Sequence, residues 1–529
     1  GGFCAVLIAA IFLIDPAFFY PRMQTDPLTY WLKAKALVET GSTSATWAVN
    51  MRPFAYASMA GILRAPFLLM FSDFDAQLRA IQVSNVFLIA STALLSAYIL
   101  SWTQPVKRHW LTIAFAFAFT ALSPIWLANA FLPLTDAPYA LFTMITLVLS
   151  MDLICSDRRL ITRPVMIALI AVLFVVSFML RFTAPVVIAF PLVLILGRWH
   201  RESVSRWMVT AMVAAVILFL IVLVKLNGQA IFGRYFNEPI SFLLHGDRLG
   251  MILNLLAAAI PSEVIPSFQL GFKHPPITGL YHTTFGTSVP DAAWAAVGII
   301  ISLVVVAGIW VNRKRLLPEI AYVAAPIPLL ALMMPSTTRY LMSYQAFFWI
   351  FFWSGAAFAA SKLPVLRRAF HSRAVVLGSV GVLVAVSIGL RSWKVAGSLS
   401  ERYFAVTVRT APAYVQDVSS TFRALRQFIE TMPQDRALLI GNHGSYGRWK
   451  IISNRDYYRP DDALAGVSRE KDVYLVIECG TREFCASWKW WKEQRRKDVT
   501  RFGAFRLDSV FAAASPLARV QVDRVTAIQ

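Results

Sequence analysis

Tyr20-Pro-Arg-Met-Gln-Thr-Asp26-Pro-Leu-Thr-Tyr30-Trp-Leu-Lys33 follows the first apolar run of the chain and breaks it with charge, proline and polar side chains. A second stretch, Leu132-Pro-Leu-Thr-Asp136-Ala-Pro-Tyr139, places another acid directly ahead of an apolar run. Each carboxylate reads as standing where a span meets water. Asp26, between Thr25 and Pro27, has the form of a helix N-cap with proline at the first helical position, and Asp136 admits the same structural explanation.

Outward from these stretches the chain is too apolar for an ordinary soluble protein. Mean hydropathy is +0.60, and only 15% of the 529 residues are charged. Apolar runs long enough to cross a bilayer recur at 3–19, 80–101, 111–130, 137–155, 164–180, 183–198, 207–225, 291–311, 319–334, 340–361 and 374–391. The expected fold is an α-helical polytopic membrane protein of about eleven transmembrane helices. Basic clusters at Lys107-Arg108, Arg158 to Arg163, Arg198 to Arg206, Arg313 to Arg315 and Lys362 to Arg373 fall on alternate loops. Lys and Arg are retained on the cytoplasmic side. The N-terminus is therefore expected in the cytoplasm, with loops 20–79, 131–136 and 226–290, Arg339 and everything after Ser392 outside. The same rule accounts for much of the formal charge of +21, so nucleic acid is not an expected partner. The first residues lack the basic region of a cleavable signal peptide.

Near Ser392 the composition shifts from apolar to mixed and charged. Residues 1–391 read as the membrane module and 392–529 as a soluble extracytoplasmic α/β domain, with a helix over 413–431 and strands at 437–440 and 472–477. Within 20–79, the runs 26–37 and 53–71 read as helices lying along the membrane surface. Loop 226–290 is a second large outer loop. Gly441 to Gly447 follows a strand but lacks the dinucleotide-binding spacing. No internal repeat or low-complexity segment is present. Cys479 and Cys485 lie where an oxidising compartment permits a disulfide, which the spacing leaves open. No Cys/His spacing has the form of a zinc site.

Two acids on one side of the bilayer acquire meaning from cations at matching depth: Arg22, Arg52, Arg181 and Arg339. Arg181 interrupts an otherwise apolar run, and an ionisable group at that depth is read as functional. The bland alternative for each arginine is a lipid headgroup contact. Asp73 and Asp75 mimic a metal-binding pair, although a solvated turn or helix cap explains them better. His274, His282 and Glu263 in the second outer loop are further substrate-binding candidates, with Glu263 an alternative base. The tail Trp488-Lys-Trp-Trp-Lys interleaves indoles with cations, which suits headgroups, an anionic glycan or an amphipathic helix packed on its own domain.

Taken together, Asp26, Asp136, Arg52-Pro53 and Arg339-Tyr340 resemble the pattern of membrane glycosyltransferases of the GT-C fold, especially bacterial lipid A aminoarabinose transferases and protein O-mannosyltransferases. The topology of nearly the whole chain is similar to theirs. The resemblance implies an inverting transfer of a sugar from a polyprenyl-phosphate donor to a glycan, lipid or protein acceptor at the outer face of a bacterial cytoplasmic membrane. It implies Asp26 as base, Asp136 as an orienting acid, Arg52 with Arg181 or Arg339 on the donor phosphate, and Tyr340 near substrate, while Tyr30 suits either stacking on a sugar or an interfacial aromatic belt. A guanidinium about 4 Å from a phosphate charge contributes about 4 kcal/mol at an effective dielectric of about 20. Members with paired acids in the first loop differ from this chain, where Pro27 follows Asp26, and a divalent metal stays open. A polymerase or ligase using a diphosphate-linked donor would need a more arginine-rich outer loop. A flippase or transporter would need polar groups along a path through the bundle.

Overall fold

The computed structural model describes residues 2–23, 25–41, 55–103, 130–132, 134–155, 162–180, 252–253, 255–265, 268, 289–314, 316–325, 342–362, 378, 381–382, 385–386, 411–433, 437–441, 449, 452–453, 457–458, 472–479, 501–502, 505–515 and 518–527. Helix α1 spans Gly2–Leu13, and a 3-10 turn follows over Pro16–Arg22. The expected single span over 3–19 is broken here. The Asp15 side chain accepts from the Ala17 N–H at 2.9 Å, and Pro16 opens the new turn. Helices α2 (Thr25–Thr40) and α3 (Ala55–Met70) lie where the two outer-loop helices were expected. Then come α4 (Phe74–Thr103), α5 (Asp136–Cys155) and α6 (Arg163–Leu180), close to the expected boundaries.

A π-helical turn, Leu255–Ala259, runs into α7 (Ile260–Val264), and α8 (Val289–Asn312), α9 (Leu317–Ala324) and α10 (Gln345–Ser361) follow. Among the described residues, three helices are long and apolar enough to cross a membrane: Phe74–Ile99, Asp136–Leu153 and Asp291–Asn312. One side of α8 presents Ile300, Leu303, Val306 and Trp310 outward, as a lipid-facing side would. Its other side packs at backbone distance. A Cβ on Gly308 would overlap the Phe351 carbonyl, and one on Gly355 would overlap that of Val304, so glycine is what allows α8 and α10 to meet. The expected spans 183–198 and 207–225, and almost all of 111–130 and 374–391, lie outside the described residues, as does the end of 319–334.

Toward the C-terminus, α11 (Ala411–Thr431) precedes a six-stranded sheet. Its strands are β1 (Ala437–Gly441), β2 (Tyr457–Tyr458), β3 (Asp472–Cys479), β4 (Arg501–Phe502), β5 (Phe505–Ala514) and β6 (Arg519–Ala527), in the order β2-β1-β3-β6-β5-β4. The first three are parallel, while β6, β5 and β4 add antiparallel. The helix and the strands at 437 and 472 were expected. The pair β5 and β6 was not.

The sheet and α11 do not stand clear of the rest. Val418, Phe422, Leu425 and Ile429, spaced along one face of α11, are buried in a cluster with Tyr20, Leu28, Trp31, Phe74 and Leu78, and Trp449 and Val522 close it from the sheet side. The segment between α1 and α4, the start of α4 and the C-terminal residues therefore share one core.

Candidate functional site

The site is built where α2, α3 and the first turn of α5 meet. Helix α2 begins at Thr25, so Asp26 lies inside its first turn, one position further in than a cap. One turn on, Tyr30 is 3% exposed and its ring lies under the Arg64 guanidinium, 5.3 Å from centroid to Cζ. The Thr135 hydroxyl donates toward Tyr30 Oη at 3.5 Å. Arg64 Nη2 in turn donates to the Leu134 carbonyl at 3.0 Å.

These contacts join the helix that carries Asp26 to the residues preceding Asp136. Asp136 is 2% exposed in the first turn of α5, whose first hydrogen bond runs from Tyr139 N–H to the Thr135 carbonyl at 3.0 Å. The acid therefore sits at the positive end of the α5 dipole. From α4, the side-chain amides of Gln82 and Asn85 donate to the carbonyls of Phe131 and Leu132 at 2.8 and 3.1 Å. They hold the approach to α5 in place.

Glu263, 4% exposed in α7, belongs to a different cluster. Its backbone carbonyl accepts from Trp349 Nε1 at 3.1 Å, which ties α7 to α10. The turn Met342–Tyr344 packs on α5, with the Tyr322 and Tyr344 rings 4.5 Å apart and Tyr322 Oη donating to Ser343 Oγ at 3.3 Å. Arg52, Arg181, Arg339, Tyr340, His274 and His282 lie outside the described residues, as do Cys485 and Trp488 to Lys492.

Asp73 and Asp75 resolve into structural partners. Asp73 Oδ2 accepts from the Asp75 and Ala76 N–H groups at 2.9 and 3.1 Å, capping α4. Arg426 of α11 donates to Asp73 Oδ1 at 2.9 Å, to Tyr20 Oη at 2.6 Å and to Glu430 at 2.7 Å, and lies 3.1 Å from Asp75. Burial works against the Asp73 charge, but the Arg426 hydrogen bond and the Ala76 N–H hold its carboxyl below the ordinary value. Burial pushes Asp75 up, against its hydrogen bond from Tyr20 and the Arg426 charge. A second pair, Arg423 with Asp15 at 2.6 Å, lies on the same helix. Among the described residues no group of three or more His, Cys, Asp or Glu side chains is placed to hold a metal ion.

Sequence reading missed two buried cations. Lys33 is 1% exposed and Arg64 is 4% exposed. Arg64 is a lone cation within the apolar sequence of α3, which is the signal that would have found it, whereas Lys33 has Lys35 two residues on and carries no such signal.

No family model and no curated protein matches the chain. Among solved structures, ArnT from Cupriavidus metallidurans bound to undecaprenyl phosphate superposes with a TM-score of 0.50 at 11% identity, covering 98% of both chains. ArnT in the apo state gives 0.40 at 12% identity, over 98% of this chain and 97% of that one. Over nearly its whole length, the chain thus shares the fold of the undecaprenyl-phosphate-bound ArnT structure.

Proposed function

We propose that the chain is an inverting GT-C-type glycosyltransferase that moves a hexosyl or pentosyl group from a polyprenyl-phosphate donor to a cell-envelope glycan, lipid or protein acceptor at the outer face of a bacterial cytoplasmic membrane. The observation that carries this reading is the Tyr30–Thr135 contact, which draws the helix bearing Asp26 to the helix start bearing Asp136. The fold shared with ArnT bound to undecaprenyl phosphate supports it. So does the common core of the first outer loop and the C-terminal residues, which agrees with both lying on the extracytoplasmic side.

In this mechanism an acceptor hydroxyl attacks the anomeric carbon as the bond from that carbon to the phosphate oxygen breaks. The hydroxyl proton passes to the Asp26 carboxylate, and the polyprenyl phosphate departs with the bonding pair. A carboxylate in a helix's first turn is a weak base, so proton transfer comes late, once the attacking oxygen has become acidic. Asp136 orients sugar hydroxyls. Arg52, Arg181 and Arg339 stabilise the charge that grows on the phosphate. Tyr30 and Tyr340 position the sugar, with His274, His282 and Glu263 toward the acceptor.

Native mass spectrometry of the wild type and Asp26→Asn, purified with bound lipid and then given candidate acceptors, tests this. The variant is expected to retain a polyprenyl-phosphate sugar that the wild type consumes. A variant as active as the wild type, with no polyprenyl lipid on either protein, would reduce Asp26 to a helix-terminal residue and remove the proposal's main support.

A further inference from the structure

Tyr20 is where the C-terminal residues reach the segment that leads into α2. It is 1% exposed, near the end of the turn Pro16–Arg22, and its hydroxyl is engaged on both sides. Arg426 Nη1 of α11 donates to Tyr20 Oη at 2.6 Å, and Tyr20 Oη donates to Asp75 Oδ1 of α4 at 2.6 Å. A phenol has one proton to give, so accepting from the guanidinium directs that proton onto Asp75. Both bonds have a charged partner, the stronger kind. The same guanidinium grips α4 directly, at Asp73 2.9 Å away. From the sheet side, Trp449 meets the Tyr20 ring edge to face at 6.4 Å between centroids, and its own Nε1 donates to Glu478 of β3.

Two routes lead from Tyr20 to α2. Along the chain, the buried Met23 returns its N–H to the Tyr20 carbonyl at 3.1 Å, two residues before α2 begins at Thr25. Across space, the Tyr20 ring meets Phe74 at 5.7 Å, and Phe74 meets Trp31 at 4.7 Å. Trp31 stands five residues after Asp26 on α2 and is 1% exposed. Its neighbour Tyr30 lies under Arg64 and beside Thr135. Successive residues of a helix stand about 100° apart around its axis, so a rotation of α2 that frees Trp31 carries Tyr30 away from Thr135 by the same angle. The rings on one side of α2 therefore set the contact on the other.

We propose that Arg426 and Tyr20 are positioning residues: the guanidinium of the C-terminal helix fixes Tyr20 against Asp75, and Tyr20 sets the orientation of α2 toward the start of α5. That this orientation serves sugar transfer rests on the transferase reading above, whereas the coupling of α11 to α2 does not.

The test follows amide hydrogen exchange in the full chain in neutral detergent, comparing the wild type with Arg426→Met, Arg426→Lys, Tyr20→Phe and the Arg426→Met/Tyr20→Phe double variant. Loss of a hydrogen bond to a charged group is expected to speed exchange over 25–33 by about tenfold in Arg426→Met and in Tyr20→Phe. The double variant should be no faster than the faster single one, because both break the same link. Arg426→Lys should keep part of the protection. In the mass-spectrometric assay above, consumption of the bound lipid-linked sugar is expected to slow by about tenfold or more in both single variants, while undecaprenyl phosphate added as a probe still binds. A residue that served only the stability of α11 would move neither the exchange of α2 nor the turnover of bound donor. Exchange that rises over 411–431 but not over 25–33 in Arg426→Met, or a double variant that adds the two single effects, overturns the inference and leaves Arg426 as a strut for α11 alone. If the wild type consumes no lipid-linked sugar while 25–33 still exchanges faster in both single variants, the coupling stands and the transferase reading falls. Should Arg426→Met fail to fold, Tyr20→Phe and Arg426→Lys carry the comparison.

Discussion

Burial lowers the Lys33 ammonium from its ordinary value of 10.5 to about 8, so the folded chain releases this proton at a lower pH than the unfolded chain does. Below about pH 8 both states hold the proton and the folded state bears the full penalty, about 3 kcal/mol. Between about 8 and 10.5 the unfolded state binds more protons, and stability rises with pH. The wild type without ligand should therefore gain melting temperature relative to Lys33→Met between pH 7.5 and pH 10. An unchanged difference would mean that the ammonium is already compensated at neutral pH. At this scale the sequence was partly legible. Asp26 and Asp136 announce themselves because acids beside proline at span ends are rare and local. Lys33 does not, since a cation near the membrane surface ordinarily snorkels, and it is the close approach of α3 at Gly61 that covers its root.

At the scale of elements, α11 is held by charge along one edge and by hydrocarbon along the other. Arg426 is 17% exposed and forks between Asp73, Tyr20 and Glu430. Its pairs fall between the exposed and buried limits, so Arg426→Met should cost about 1–3 kcal/mol, read as faster amide hydrogen exchange over 411–431. Lys at the same position should restore only part, because a point charge does not reproduce the fork. The two acids differ in sign. Asp73, held below 3.8, contributes stability above that pH that is lost as pH falls through its folded value. Asp75, raised by burial, works the other way, so Asp75→Asn should loosen α11 less than Asp73→Asn. Equal exchange in all variants would show that hydrocarbon alone holds the helix. Most helices were legible from apolar runs, and α11 from its periodic face. The 3–19 run misled because hydropathy averages over Asp15 and Pro16, which together start a new turn. Strands β5 and β6 escaped because Arg506, Asp508, Arg519 and Arg524 break their apolar character, and their pairing is fixed by partners distant in sequence.

For the whole molecule, an alignment covering 98% of both chains at 11% identity means that the order and length of apolar runs, rather than particular residues, specify the fold. That is why the fold class could be read from hydropathy, while the dependence of one part on another could not. The change in composition near Ser392 is where the sequence alone places the chain's exit from the membrane. It does not mark where the core ends, because Val418, Phe422, Leu425 and Ile429 bury against Tyr20, Trp31, Phe74 and Leu78. A chain cut after Ser392 would uncover Tyr20, Trp31 and Phe74, and burying each large apolar side chain contributes about 1.5–3 kcal/mol. Residues 1–392 alone should therefore purify as aggregate or melt well below the full chain, and co-expression with 393–529 as a separate piece should restore a monodisperse complex. Because α2 carries Leu28 and Trp31 into this core while Tyr30 lies against Arg64, the cut should also loosen the candidate site. If 1–392 instead remains monodisperse with unchanged melting temperature and amide exchange over α2, the two parts are energetically independent and the shared core contributes nothing to the site.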